Sequence, residues 1–257
     1  MKYLGFWFLV ICNFTSCIKS KSVEFHKGIV HYGQIESKSL GDTIGPDFNS
    51  YLVFDNNHSY YVFAKDSLEK ATHFKKRYYS KDSLSIRSYA FPMTSRYGKQ
   101  VYYNRKSDSL YWRKWEKYYV SEKTPQIDWE LISKTKTIQK HTVYKAQGQF
   151  RGRIYTAWYT KDIALPYGPW KLQGLPGLIL EAYDEKKEMY FYLKNLEYPT
   201  KNNTSITQVK RPEGHPKDWN TLEDFEKRVN FFYEKFLQNS VSANENTIPS
   251  DIFIESF

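Results

Sequence analysis

Cysteine is scarce in this chain of 257 residues, which has only Cys12 and Cys17. Cys12 lies inside an apolar N-terminal stretch that we expect to be cleaved off, so the mature protein would keep at most one cysteine. A single cysteine excludes an internal disulfide bond and a cysteine-based metal site. Stability must therefore come from the burial of apolar side chains and from backbone hydrogen bonding.

Long hydrophobic runs are also lacking, apart from a short one near the N-terminus. Lys2 precedes an apolar run over residues 4–11, which is too short to span a bilayer. This arrangement is typical of a signal peptide, and we predict one over residues 1–17. No later stretch is apolar enough to cross a membrane, so residues 18–257 are predicted to form a single exported domain, in the periplasm or at the outer membrane.

The end of the predicted signal peptide is similar to a lipobox, in which small residues precede a cysteine that becomes lipidated. The stretch reads Phe14-Thr15-Ser16-Cys17. Lipid on Cys17 would anchor the protein in a membrane. Phe14 departs from the Leu, Val or Ile that usually opens a lipobox, so cleavage by ordinary signal peptidase near this point is the alternative.

Acidic residues are outnumbered by basic ones, 28 against 38, which gives a formal net charge of +10. Such an excess attracts anionic surfaces, but lysine also keeps exposed strand edges from aggregating. The basic residues are scattered among aromatic ones rather than gathered in a tail, which favours the second interpretation. The sequence has no nucleic-acid-binding motif, and nucleic acid is not an expected partner.

Aromatic residues, by contrast, are abundant, with 23 Tyr, 17 Phe and 7 Trp. Such residues suit half-buried strand surfaces, and alternating patterns bounded by polar turns recur along the chain. We therefore predict a mainly β fold, a strongly curved antiparallel sheet or a partly closed barrel with a C-terminal amphipathic helix. Strands are expected over residues 23–37, 51–54, 60–63, 101–103, 110–112, 129–138, 141–147, 153–160, 178–183 and 189–196, and residues 64–100 are expected to form loops with short strand pieces.

The one helix that the sequence predicts covers residues 221–238. Thr221 and Asp224 have the spacing of a capping box, with Asp in place of Glu. Apolar residues then recur at helical spacing and form one face, which we expect to pack on the sheet. These residues are Leu222, Phe225, Val229, Phe232, Tyr233, Phe236 and Leu237.

The most distinctive stretch of the chain lies between residues 150 and 180 and is rich in glycine, proline and tryptophan. Leu175-Pro176-Gly177-Leu178 predicts a type II turn, with a positive φ at Gly177. Gly168-Pro169 predicts another bend, across which Trp158 and Trp170 can pack.

This stretch resembles the signature of the GLPGLI family, named after a hexapeptide that stands here at residues 174–179. The resemblance implies a secreted protein, of a type found mostly in Bacteroidota, whose function is not established. Some members are found beside TonB-dependent outer-membrane receptors. Many members carry Gly-Tyr-x-Cys before the Lys-Ala that stands here at residues 145–146. This chain has Lys-His-Thr-Val at residues 140–143 instead, so no role of that cysteine applies to it.

The residues of the signature are candidates for either of two roles. Gly and Pro have direct conformational uses in tight turns, which favours a structural role. Alternatively, the glycine-rich turn brings backbone N–H groups close to a ligand that lies between tryptophan walls. The candidates are Arg151, Gly152, Arg153, Trp158, Gly168, Pro169, Trp170, Gly174, Leu175, Pro176 and Gly177.

Groups that could support catalysis or metal binding are few and scattered. The six His residues show no metal-ligand spacing, and the sequence has neither a Gly-x-Ser-x-Gly elbow nor a Walker loop. We therefore assign no catalytic residue, metal or cofactor. The alternative is a hydrolase or peptidase whose site is assembled by folding from distant residues such as His141, Arg153 and Asp162.

Four Asp-Ser/Thr-aliphatic triplets match an acceptor pattern that Bacteroidota use for O-glycosylation. They place the acceptor hydroxyl on Thr43, Ser67, Ser83 and Ser109, in predicted loops and hairpin ends. The alternative is that Asp-Ser pairs simply form good turns before strands.

Export, the lipobox and the shortage of catalytic groups together favour a non-enzymatic envelope protein. Its expected role is to bind a partner in support of outer-membrane transport, the partner being a TonB-dependent receptor or an apolar or peptide ligand. The two alternatives are the hydrolase or peptidase above and a purely structural envelope protein.

Overall fold

The computed structural model describes residues 26–37, 45–69, 94–114 and 118–240. These residues form eleven strands and two helices. The predicted signal peptide, Cys17, Thr43 and Ser83 lie outside the described residues. The strands are β1 (Gly28–Glu36), β2 (Asp47–Phe54), β3 (His58–Phe63), β4 (Lys99–Asn104), β5 (Ser109–Lys114), β6 (Tyr118–Lys123), β7 (Glu130–Ile138), β8 (His141–Phe150), β9 (Arg153–Thr160), β10 (Leu178–Asp184) and β11 (Met189–Glu197), and the helices are α1 (Asp66–Glu69) and α2 (Leu222–Ser240).

All eleven strands belong to one antiparallel sheet, which confirms the predicted mainly β fold. Their order is β6-β5-β4-β3-β2-β1-β11-β10-β9-β8-β7. The pairing of β1 with β11 joins two meanders into a single sheet. Each of the ten predicted strands overlaps an observed one, whereas β6 and the single turn α1 were not predicted.

The connection between β6 and β7 forces the sheet to curve. These two strands follow each other in sequence, yet they lie at opposite ends of the sheet and are joined by residues 124–129 alone. Such a link reaches about 25 Å at most, whereas eleven strands laid flat would measure about 48 Å across. The sheet must therefore roll up until its two edges approach each other, and it stays open because β6 and β7 do not pair.

The inside of the curved sheet is filled by the chain between β9 and β10, residues 161–177. The ring of Tyr167 lies 5.8 Å from that of Phe54 on β2 and 5.9 Å from that of Tyr103 on β4. The ring of Trp170 lies 6.5 Å from that of Phe191 on β11. Contacts with strands in both halves of the sheet make this segment the centre of the core.

The outer face of β2 to β6 is covered by residues 206–220, which form a smaller core with it. This covering also closes the free edge of β6. The amide of Ser121 donates to the carbonyl of Asn220 (3.1 Å), and the amide of Asn220 donates to the carbonyl of Tyr119 (2.8 Å).

Helix α2 begins at the predicted capping box. The amide of Asp224 donates to the hydroxyl of Thr221 (3.1 Å), and that hydroxyl donates to the carboxylate of Asp224 (2.8 Å). Only the first half of the predicted apolar face is confirmed as core, because Phe225 and Val229 are buried whereas Phe232 is 44% exposed. Neither helix among the described residues is both long and apolar enough to cross a membrane.

Candidate functional site

The two edges of the sheet meet along a line that we call the seam, formed by Glu122, Pro125, Trp129, Arg151 and Gln173. The guanidinium of Arg151, in the turn between β8 and β9, lies 2.5 Å from the carboxylate of Glu122 on β6. The indole N–H of Trp129 donates to the carbonyl of Gln173 (2.8 Å), and the side-chain amide of Gln173 donates to the carbonyl of Pro125 (2.7 Å). The segment that fills the sheet therefore also holds its edges together.

The predicted type II turn at residues 175–178 is wrong. The glycine with a positive φ is Gly174, at +96°, and Gly177 is not among the residues with positive φ. Gly177 is needed for space instead, because a Cβ there would lie 2.1 Å from the carbonyl oxygen of Thr160. The prediction failed because the Pro-Gly pair indicates only a local preference for a type II turn, whereas the close approach of Gly177 to β9 depends on the tertiary fold.

The backbone of the signature is engaged inside the protein. The amides of Gly174, Leu178 and Ile179 donate to carbonyls of residues 166, 163 and 167, at 3.1, 3.0 and 2.9 Å. The carbonyl of Ile179 also accepts a hydrogen bond from the hydroxyl of Tyr32 on β1, at 2.6 Å. These three N–H groups are thus used to fix the segment within the sheet.

The two tryptophans of the signature are not brought together. Trp170 lies inside the sheet against Phe150 and Tyr155, with its own φ at +56°. Trp158 is an odd number of residues from Tyr155 on β9, so it points to the opposite face. There the ammonium of Lys136 lies 4.4 Å from its ring centroid. The pair does not form the two walls of one ligand site.

Gly168 and Pro169 form the bend that precedes Trp170. A Cβ on Gly168 would lie 2.7 Å from the carbonyl oxygen of Leu172 and 2.7 Å from the Cδ1 atom of Ile179, so a larger residue would displace the backbone of this segment. The carbonyl of Pro169 accepts a hydrogen bond from the amide of Leu172 (3.1 Å). Both residues are buried, and they position the tryptophan rather than form a surface.

Arg151, Gly152 and Arg153 belong to the hairpin between β8 and β9. The positive φ values of Arg151 (+49°) and Gly152 (+72°) are those of a two-residue type I′ turn. The guanidinium of Arg153 lies 2.7 Å from the carboxylate of Asp184 and 2.5 Å from that of Glu188. Burial acts to lower the pKa of Arg153, but the hydrogen bond to Glu188 and the nearby negative charges outweigh it and raise the pKa. This cluster is an internal ion network.

A surface groove of about 530 Å³ runs along the seam, between the start of β7 and the signature turn. Within the signature, Gly174 and Pro176 are exposed at the groove, whereas Leu175 between them is buried. On the opposite side, Leu131 is 57% exposed, the largest value among the large apolar side chains of the described residues. The groove is lined by Ile127, Asp128, Trp129, Glu130, Leu131, Gly174, Leu175 and Pro176. Sequence analysis did not identify residues 127–131 as part of a candidate site, because they carry no motif.

A second cleft, of about 520 Å³, brings together His141 and Asp162, which sequence analysis had named as parts of the alternative hydrolase site. The Nδ1 atom of His141 lies 3.0 Å from the carboxylate of Asp162, and the hydrogen bond from His141 lowers the pKa of Asp162. Arg153 is not part of this cleft. It begins β9 whereas His141 begins β8, and the first residues of adjacent antiparallel strands lie at opposite ends of the sheet.

One further cavity, of about 30 Å³, lies inside the sheet beside Lys171 and Trp112. The ammonium of Lys171 lies 3.3 Å from the centroid of the Trp112 ring, a cation–π contact that helps to accommodate a nearly buried charge. The described residues contain no group of three or more metal-binding side chains.

Two of the predicted glycosylation acceptors fall within the described residues. Ser67 is exposed and lies in the single helical turn α1 rather than in a loop. Ser109 is the first residue of β5, as expected for a hairpin end, and its hydroxyl donates to the carbonyl of Ser107 (2.9 Å).

Comparison with known proteins points to the same stretch of chain. Residues 151–181 match the model of a family described as "Protein of unknown function (Porph_ging)". The chain is similar to that family over this stretch. The matched stretch contains the segment that fills the sheet and one wall of the seam groove. The other wall, formed by residues 127–131, lies outside the match. No curated protein matches the chain.

Among solved structures, two of PNGF-II are similar to this chain. The one in space group P21 is 13% identical with a TM-score of 0.49, covering 79% of this chain and 32% of that one. The one in space group C2 is 14% identical with a TM-score of 0.44, covering 76% and 30%. This chain thus spans about a third of the length of the chains it matches.

Proposed function

We propose that this protein is a non-enzymatic binding or accessory protein that interacts with a polypeptide partner at its surface. The observation that carries this proposal is the filling of the curved sheet by residues 161–177. The cavity beside Lys171 has room for about two water molecules, too little for a lipid or a peptide. Both larger clefts lie at the surface, and the signature forms one wall of one of them.

The proposal includes a place in the bacterial envelope. Residues 1–17 act as a signal peptide, Cys17 carries the lipid anchor, and the domain works in the periplasm or at the outer membrane as a GLPGLI-type protein. The partner is an outer-membrane TonB-dependent receptor or a peptide, and the role is support of outer-membrane transport. The sequence pattern before Cys17 and the resemblance over the signature support these assignments.

The experiment is an in-cell crosslinking pull-down of the natively produced protein, read by protein and lipid mass spectrometry. Enrichment of one receptor or one set of peptides over a matched, unrelated lipoprotein would support the proposal. Recovery of background proteins only, from a folded and abundant protein, would refute a stable partner. Enrichment of one lipid species would refute the polypeptide assignment.

The contact between His141 and Asp162 favours a second candidate, a hydrolase or peptidase, because a histidine oriented by a carboxylate is a common catalytic arrangement. The solvation of this pair argues against it. The side chain of His141 is 12% exposed whereas that of Asp162 is 59% exposed, the reverse of a buried carboxylate that orients a reactive histidine. Within the described residues, no Ser, Thr or Cys side chain hydrogen bonds with His141. Peptide and ester libraries that are cleaved by the wild type but not by His141→Ala would revive this candidate.

A further inference from the structure

We propose that the seam groove and the adjoining edge of β7 form a docking site for an extended polypeptide that alternates apolar and basic side chains. The polypeptide would add to the sheet as a short strand beside residues 130–132. This inference rests on the proposed binding function, and it names the site and the chemistry of the partner.

The two edges of the sheet differ in how far they are covered. The edge of β6 is closed by backbone hydrogen bonds to Asn220. Nothing among the described residues pairs with the outer edge of β7, the last strand in the order. Unpaired N–H and C=O groups along such an edge are a template for another strand, and main-chain pairing of this kind is a common mode of peptide recognition.

Only the first part of β7 has an edge that is open to pairing with another strand. Its second part has two features that protect strand edges, an irregularity in the pairing between Ile132 and Thr135 and the exposed lysine Lys134. The first part lacks them and presents Leu131, more than half exposed, directly beside the groove. A partner strand would therefore cover residues 130–132 and continue into the groove.

The side chains that line the groove carry negative charge. Among the described residues that line it, Asp128 and Glu130 are acidic and none is basic. Both carboxylates are exposed, and neither makes a hydrogen bond or ion pair with another described residue. A local excess of negative charge on a chain of net charge +10 selects a partner segment with basic residues, while Leu131 and Pro176 receive its apolar side chains.

The walls of the groove are held in place by contacts within the protein. Trp129 is fixed by its hydrogen bond to the carbonyl of Gln173. The space beside Trp129 is open at Gly174, because a Cβ built on Gly174 would meet no atom closer than 3.7 Å. A wall that is already ordered loses little entropy when a ligand binds. The exposed part of the signature would thus contact the partner, and its buried part would hold the wall in place.

The first test measures binding to the folded, full-length protein by fluorescence anisotropy, with two labelled hexapeptides as probes. One alternates lysine with valine and the other alternates glutamate with valine. Two exposed ion pairs gained by the basic peptide, and two like-charge contacts met by the acidic one, predict about tenfold tighter binding of the basic peptide at low salt. The double variant Asp128→Asn with Glu130→Gln should lose that preference, whereas the control Glu213→Gln, an exposed carboxylate elsewhere, should keep it.

The second test locates the partner in cells by photo-crosslinking from two exposed positions. A photoreactive amino acid at Leu131 should crosslink to a polypeptide, while one at Phe231, similarly exposed at 52% on α2, should not. Crosslinks from Phe231 but not from Leu131 would overturn the docking site and leave the binding function standing. A crosslink from Leu131 to a second copy of this chain would also overturn it. An absence of crosslinks from both positions, together with an empty pull-down, would refute the binding function itself.

Discussion

Replacement of Gly177 by alanine tests whether this glycine is needed for space. The added Cβ would lie 2.1 Å from the carbonyl oxygen and 2.9 Å from the carbonyl carbon of Thr160, and 3.1 Å from the ring of Tyr159. A carbon normally approaches such an oxygen to about 3.3 Å, so β9 must move by about 1 Å. Leu178, the next residue, pairs with Thr160 at the start of the β9–β10 ladder, so the displacement also disturbs that pairing. We expect a loss of about 3 kcal/mol of unfolding free energy.

Gly174 provides the matched control, because it is a glycine of the same hexapeptide with a different constraint. Its φ of +96° disfavours any other residue, yet the space around it is open. Alanine there should cost about 1–2 kcal/mol, and asparagine should cost less because it tolerates positive φ better. At Gly177 we expect asparagine to cost more unfolding free energy than alanine, because its larger side chain clashes more strongly with Thr160.

The assay is urea unfolding of the four variants and the wild type, followed by far-UV circular dichroism. The expected result is that alanine is tolerated better than asparagine at Gly177 and worse at Gly174. If Gly177→Ala stayed within about 0.5 kcal/mol of the wild type, the close approach to Thr160 would not constrain this residue. If both positions gave the same order, the separation of space from backbone conformation would be wrong.

Two other substitutions test the ion pairs. Arg153→Met should lower the unfolding free energy by about 3–5 kcal/mol, because it removes a cation that contacts the buried carboxylates of Asp184 and Glu188. Urea unfolding measures this loss, and a loss below about 1 kcal/mol would contradict the assignment of these ion pairs. His141→Asn should raise the pKa of Asp162 towards its ordinary value, as followed by NMR titration of the carboxyl carbon. Because the pKa of Asp162 is lowered in the folded protein, its contribution to stability is present above the unfolded-state pKa and is lost as the pH falls through the folded-state pKa. An unchanged titration of Asp162 in the His141→Asn variant would refute the pairing of these two residues.

Features that depend on local sequence were predicted closely. The hairpin of β2 and β3 follows from alternating apolar residues around a turn, in which Asp55 accepts hydrogen bonds from the amides of Asn57 and His58 (2.7 and 2.8 Å). The helix start at Thr221 follows from its capping residues in the same way. Both depend on contacts between residues three or fewer positions apart, which a single sequence reveals.

Features that depend on distant contacts were not predicted. The strand β6 was missed because it is short and its pattern is weak, whereas its place is set by pairing with β5 and by cover from Asn220. The groove residues 127–131 carry no sequence signal of a binding site, and they became part of a candidate site only because β7 lies next to the signature turn. His141 and Asp162 were named together in the sequence, but their contact in a cleft, and the separation of Arg153 from them, required the fold.

By itself, the sequence determined a mainly β protein with a capped C-terminal helix and a signature rich in glycine and proline. The alternation of apolar and polar residues, the turn residues and the capping residues act over a few positions, so they can be recognised in a single sequence. Only the tertiary structure decided that the signature fills the sheet, that Gly177 is needed for space and Gly174 for its backbone conformation, and that a groove opens at the seam. These outcomes arise because a link of six residues between β6 and β7 brings the two edges of the sheet together, and the meeting of edges cannot be read from any local pattern.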